Sequence, residues 1–403
     1  MNEKKKKVIL WIGDAVSQTG FARVTHSICG QLHASGDWDV NVLGINYSGD
    51  PHTYPYKIFP AILGGDVWGI GRAMGLIRNL KPDVVLIIND PWNVSQYLQA
   101  IEANVPVVAY MPVDAPNQMA GRSLNTLQRA IAYTQFGRKH LLLGGYSGRC
   151  DVVPHGVDTA IYHPMPKDEA INKLTLTSKI KPGSFITGVV ARNQPRKRLD
   201  LTIQAWTKWW INAGQPRNAY LYMHTTMQDI GWNVLQLATY YGINEQFIVT
   251  NPKMTLQNCL LEQNLKLVYN AFDVQLHTSL GEGWGLTAHE GMACGVPQIM
   301  PKYAALAEWA EGAAHFVPVT SYEVTHNAIN TIGGVIDFHG TVDAIDKFYT
   351  DKDGIRARYR ALGLARATEP RFNWATIAEQ FNSILTETIL EGQQAPVGLE
   401  VGR

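Results

Sequence analysis

The stretch LGEGWGLTAHEGMACGVPQIMP, Leu280 to Pro301, sets three glycines between and beside acids just ahead of a helix-compatible run. Gly281, Gly283 and Gly285 remove side-chain bulk, so backbone N–H groups can approach a ligand closely. The unpaired N–H groups that open a helix attract an anion, and a diphosphate suits such a pocket. Glu282 and Glu290 bracket the loop with seven residues between them, the first on the loop and the second about one turn into the helix. A carboxylate accepts two hydrogen bonds from a vicinal diol, so one acid can hold a ribose and the other a sugar ring. Solvation of two unrelated acids explains neither the glycine spacing nor the pairing. Gly295 ends the helix, and the short apolar run Val296 to Met300 reads as the next strand.

Upstream of this loop the strand candidates are Ile186–Val190, Tyr220–Met223, Phe247–Val249 and Asp273–Leu276, with helices over Leu199–Ile211 and Asn258–Asn270. An earlier series runs Val8–Gly13, Val40–Ile45, Val84–Ile88, Val105–Tyr110, Ala130–Thr134 and Asp151–Val153, with a helix over Phe21–Ala34. Buried strands alternating with helices predict a parallel, doubly wound sheet in each half. The pattern restarts after Pro164 and Pro166, so the division is 1–165 for a first Rossmann-like domain and 166–371 for a second. FNWATIAEQFNSILTETILE reads as one amphipathic closing helix over 372–391, with Asn373 as its cap, followed by an aperiodic tail at 392–403.

A chain of 403 residues with 46% hydrophobic composition exceeds the usual single core, which agrees with two domains. Net charge is +1, and residues 1–165 hold fourteen Lys and Arg against twelve Asp and Glu, so no strong basic surface is written there. Cys29, Cys150, Cys259 and Cys294 are scattered without metal-ligand spacing, as expected for reduced thiols in a cytoplasmic protein. The apolar run after Lys4 to Lys7 is too short for a signal segment or a membrane span. The sequons at Asn46 and Asn93 are then chance.

Other motifs narrow the chemistry. The loop Gly13 to Gly20 contains neither G-x-G-x-x-G nor G-x-x-x-x-G-K-[ST], and Gly69-Ile-Gly71-Arg-Ala-Met-Gly75 has the wrong spacing and no preceding strand, so it reads as structural. His289-Glu290 lacks a second histidine at position 293, which is Ala293, so a zinc helix fails. His155 reads as a hydrogen-bonded structural residue. On the loop ARNQPRKR, Arg192 and Lys197 lie where a switch point places a ligand, and they suit a diphosphate; Arg196 and Arg198 read as solvated.

E-G-W-G-L-T-x-x-E-x-M-A-C-G-x-P from Glu282 resembles the donor-site signature of the retaining glycosyltransferases of group 1 (family four), which have the GT-B fold. That resemblance implies two Rossmann-like domains facing across a cleft, with the final helix crossing back to the first. It implies a UDP- or GDP-linked sugar donor, with Glu290 on the ribose and Glu282 on the sugar. Gly283, Trp284, Gly285 and Leu286 would supply backbone contacts, and Arg192 and Lys197 would hold the phosphates. Thr19-Gly20-Phe-Ala-Arg-Val-Thr is similar to the family's first-domain loop, which makes Gly20 a donor-side residue. No metal is implied. Many members carry a histidine near position 114, where this sequence has Asp114; the aspartate then joins Glu282, Arg192 and Lys197 as the catalytic set. A sugar, lipid or small-molecule hydroxyl is the expected acceptor. A hydroxylated DNA base is an alternative, for which Trp68 and Trp92 offer stacking surfaces, and a non-catalytic nucleotide-sugar sensor is another.

Overall fold

The structure, a computed structural model, describes residues 5–62, 65–102, 104–176, 179–227, 229–251, 253–255, 260–326 and 329–394. Strands β1 (Lys7–Asp14), β2 (Trp38–Ile45), β3 (Lys57–Pro60), β4 (Val84–Ile88), β5 (Val107–Met111), β6 (Arg129–Ala132) and β7 (Cys150–Val152) form one parallel sheet in the order β3-β2-β1-β4-β5-β6-β7. Strands β8 (Phe185–Val190), β9 (Ala219–His224), β10 (Phe247–Val249), β11 (Val274–Leu276), β12 (Gln298–Pro301) and β13 (His315–Val317) form a second, in the order β10-β9-β8-β11-β12-β13. In both orders the direction of winding reverses beside the first strand of the sheet, β1 or β8. The loops that leave those strands therefore open onto a crevice at the carboxyl edge. The expected fold is present: two doubly wound α/β sheets.

The strands are near-continuous apolar runs because helices cover both faces of a parallel sheet. Ile9, Leu10, Trp11 and Ile12 of β1 and Val84 to Ile88 of β4 are fully buried. Three features escape the sequence pattern. The edge strand β3 is short and partly exposed, and β14 (Val319–Val324) pairs antiparallel with β15 (Ile332–Ile336) as a ribbon whose first strand is largely solvent-facing. Strand β13, at the other sheet's edge, has only three residues. Partial exposure removes the apolar run or alternation that marks a strand.

Trp374–Gln394 forms the closing helix, and the Asn373 side chain accepts from the Ala375 N–H at 2.8 Å, as its capping position predicts. The helix lies on the first domain: Phe381 packs on Trp11 with ring centroids 6.0 Å apart, and Trp38 Nε1 donates to Asn382 Oδ1 at 2.8 Å. Fully buried Arg129 donates to the Ile384 carbonyl at 3.0 Å and pairs with Glu387 at 2.9 Å. The expected tail is shorter than its 392–403 assignment, since 392–394 continue the helix; 395–403 lie outside the described residues. The helix expected from Asn258 runs Glu262–Asn270, with 258 and 259 likewise outside them. Among the described residues no helix is long and apolar enough to cross a membrane.

Candidate active site in the interdomain cleft

Side chains from both domains line a cavity of about 780 Å³ between the two sheets. The glycine–glutamate loop and the helix Leu286–Ala293 form one wall. Gly285 caps that helix at φ +88, a left-handed conformation that glycine adopts without a Cβ penalty. Leu286 and Thr287, in its first turn, line the cavity, so the open N–H groups of the helix border it. Gly295 sits at φ +73 just past the helix, and its N–H donates to the Met292 carbonyl at 2.9 Å, the glycine stop read from the sequence.

Gly281 and Gly283 have a different reason from the one their spacing suggests. A Cβ on Gly281 would lie 2.1 Å from the Asp114 carbonyl oxygen, and one on Gly283 would lie 2.6 Å from the Pro112 Cβ. These glycines let the second domain's loop press against the first domain. The backbone they admit is the protein's own. Gly20 meets the same wall from the other side, since a Cβ there would touch Leu286 Cδ1 at 3.2 Å. Trp284 is buried and stacks on Trp309 with centroids 5.1 Å apart, and it also lines the cavity.

The charged centre is a four-membered cluster. Glu282 accepts from Lys197 Nζ, from Ser279 Oγ at 2.6 Å and from Arg196 at 3.1 Å. Arg196 Nε also pairs with Asp114 Oδ2 at 3.2 Å, which ties the first domain to the loop. Burial opposes charge on Glu282, but Lys197, Arg196 and the Ser279 hydroxyl outweigh it and hold the carboxyl well below its usual range. Burial pushes Asp114 up instead, with Glu282 adding to the rise and Arg196 opposing it. Burial together with neighbouring Arg196 lowers Lys197 despite Glu282. Arg196 is thus a bridging residue and not the solvated side chain that its place in a charge run implied. Arg198 is likewise held, by Asp200 at 3.1 Å and Glu323 at 2.6 Å. Arg192 stands apart at the cavity's edge, forked onto Asp229 at 3.1 and 3.3 Å.

Glu290 is 1% exposed and faces a different set of partners from the expected diol. Arg23 of the first domain pairs with it, as does the Tyr269 hydroxyl at 2.6 Å, and Arg23 also reaches Glu262. Burial raises the Glu290 carboxyl while Arg23 lowers it. The helix Gly20–Ala34 carries Arg23 there because Thr19 caps its start, accepting from the Ala22 N–H at 3.1 Å. His155 is buried, with its Nδ1 2.7 Å from the Tyr110 hydroxyl, burial holds the imidazole well below its usual range, and the residue also lines the cavity.

With this geometry in place, residues 184–332 match the sequence profile described as Glycosyl transferases group 1. That stretch carries the group 1 glycosyl transferase profile. It is 26% identical over 288 residues to a D-inositol 3-phosphate glycosyltransferase of Nocardia farcinica, covering 68% of this chain and 56% of that protein. It is 30% identical over 232 residues to the protein of the same description from Mycolicibacterium smegmatis, covering 55% of this chain and 49% of that one. The match thus spans about half the length of these curated relatives. Among solved structures, a sucrose-phosphate synthase from Thermosynechococcus elongatus superposes with a TM-score of 0.72 at 16% identity, covering 96% of this chain and all of that one. Anabaena HepE in complex with UDP and glucose gives a TM-score of 0.68 at 18% identity, covering 94% of this chain and 100% of the other. These likenesses establish the GT-B fold for this chain.

Several residues of this cleft belong to no motif in the sequence. Asp14 ends β1 and is held by Thr19 Oγ1 at 2.5 Å and Asn46 Nδ2 at 3.2 Å; Asp90 follows β4; Tyr133 follows β6. All three line the cavity because the carboxyl ends of neighbouring parallel strands meet at one edge. The positional signal was available: each stands within two residues of the end of an apolar run. Among the described residues no group of three or more His, Cys, Asp and Glu side chains has metal-binding geometry.

Proposed function

We propose that this chain transfers a sugar from a nucleoside-diphosphate sugar, UDP- or GDP-linked, to a hydroxyl acceptor, with retention of anomeric configuration and without a metal ion. One observation carries the reading: the Glu282–Lys197–Arg196–Asp114 cluster, centred on buried Glu282, stands beside an open helix N-terminus in a cavity shared by both domains. A diphosphate at that N-terminus meets N–H dipoles, and Lys197, Arg196 and Arg192 supply positive charge where the leaving group gains negative charge. Glu282 is the proposed partner of the donor sugar's hydroxyls, its charge kept by Lys197 and Arg196. Glu290 is the proposed ribose ligand, which requires the ribose to share or replace the Arg23 contact.

In the retaining reaction the acceptor oxygen bonds to the anomeric carbon on the face from which the phosphate leaves. As the carbon–phosphate oxygen bond breaks, the departing phosphate oxygen takes the acceptor's proton, so no protein base is needed. Asp114 then serves to orient substrate. The test is incubation with a panel of nucleotide sugars while following nucleoside-diphosphate release, with and without a chelator. Slow release from one donor, unchanged by chelation, is the expected result. Binding without turnover, with acceptors supplied, would make the chain a sensor, and inhibition by chelator reversed by metal would overturn the metal-free mechanism.

A further inference from the structure

The two walls of the cleft differ in charge. Every Lys and Arg among the described residues lining the cavity is on the second domain's loop, and each already faces a carboxylate: Arg192 with Asp229, Arg196 with Asp114 and Glu282, Lys197 with Glu282. The first domain's wall supplies Asp14, Asp50, Asp90 and Asp114 and no Lys or Arg. No hydrogen bond or ion pair reaches the Asp90 carboxylate among the described residues, and burial followed by the charge of Asp114 pushes it up to about 7. The second feature of this wall is aromatic. Trp68, 39% exposed, and Trp92 border the cavity, and Tyr133 is 3% exposed with a hydroxyl that has no hydrogen-bond partner among the described residues.

These features describe a ligand. A buried hydroxyl without a partner is costly unless a bound molecule supplies one. Carboxylates accept hydrogen bonds from diols and repel anions, while an exposed indole covers the apolar face of a ring. We infer that the acceptor side of the cleft takes an uncharged polyhydroxylated molecule, a free saccharide or polyol, held by Asp14, Asp90 and Tyr133 and covered by Trp68 or Trp92. A phosphorylated acceptor, such as the name of the curated relatives indicates for them, meets no unpaired Lys or Arg among the described lining residues to receive its charge, and a polynucleotide meets none for its backbone. The inference rests on the glycosyltransferase reading for the word acceptor, but the binding it describes can be measured without turnover.

The experiment has two arms on the full chain. Calorimetry with UDP and GDP reads the donor side. Saturation-transfer NMR reads the other side, with glucose, maltose and myo-inositol set against glucose 6-phosphate, an inositol monophosphate and a single-stranded oligonucleotide. At least one neutral compound is expected to bind, with its phosphorylated counterpart weaker by roughly tenfold or more, the loss of about one charged hydrogen bond's worth of affinity. Tyr133→Phe and Asp90→Asn should each weaken the neutral ligand by about threefold to tenfold and leave nucleoside-diphosphate affinity unchanged. A phosphorylated compound or the oligonucleotide binding as tightly as the neutral one overturns the inference, as does binding of no neutral compound. Neutral binding with no UDP or GDP affinity would instead sink the donor assignment and leave this wall's specificity standing.

Discussion

The backbone of Gly281 lies against that of Asp114 across the domain interface, so close that a Cβ on the glycine would stand 2.1 Å from the aspartate's carbonyl oxygen. Both residues border or adjoin the charged cluster, so the spacing of the domains and the geometry of the site are one quantity. Gly281→Ala must push the loop away from Pro112–Asp114. Misplacement of a reacting group by about 1 Å can cost on the order of 10²-fold in rate, and a fall in kcat of at least about tenfold is expected. Circular dichroism should show both sheets intact. Unchanged kcat would mean that the closed spacing is not the reactive one.

Glu290→Gln separates two roles of one carboxylate. The substitution leaves Arg23, which is largely buried, with Glu262 as its remaining acid partner. Breaking a buried pair costs about 3–5 kcal/mol when nothing compensates, and the half-buried Glu262 should reduce that to about 1–3 kcal/mol. A denaturant titration reads this loss, and Arg23→Met in the same chain should recover most of it. Nucleotide affinity should fall by about tenfold in Glu290→Gln and stay low in the double variant, because charged hydrogen bonds to the ribose are lost in both. Recovery of affinity with stability would remove Glu290 from the donor site.

Lys197 controls the protonation of Glu282. The Glu282 carboxyl is depressed in the folded protein, so its pairing contributes stability above the unfolded carboxylate range, and that contribution is lost as pH falls through the folded value. Lys197→Met removes one of the two cations and leaves burial less opposed. The acidic limb of the kcat/KM profile should therefore move to higher pH, and the stability plateau should begin at higher pH as well. An acidic limb that does not move would show that Arg196 alone sets the charge of Glu282.

Asp114 already has occupants. Its carboxylate pairs with Arg196 at 3.2 Å, and the Gly283 N–H lies within its hydrogen-bonding reach. A general base contributes on the order of 10²- to 10⁴-fold. Asp114→Asn keeps the shape and loses the ion pair, so turnover should fall by less than about 10²-fold and the product should keep the donor's anomeric configuration. Proton NMR of fresh product decides both points, since an inverted anomeric coupling would make Asp114 the base of an inverting enzyme.

The sequence determined the fold class and the local form of the glycine–glutamate loop, because each depends on local pattern. Apolar strands between helices demand two covered parallel sheets, and the run from Glu282 to Gly295 carries its own loop, helix start and helix stop. Strand bounds such as Val84–Ile88 and Phe247–Val249 follow directly from the apolar runs. What stands opposite what was decided by tertiary structure. Arg196 sits in a charge run that reads as solvated, and only the approach of the first domain gives it Asp114 as a second partner. Arg23 and Glu290 are 267 residues apart, and Asp14, Asp90 and Tyr133 belong to three different strand ends. Periodicity records which face of an element is buried, but not which surface buries it. The cleft is made of surfaces that meet only when two independently patterned domains close on one another.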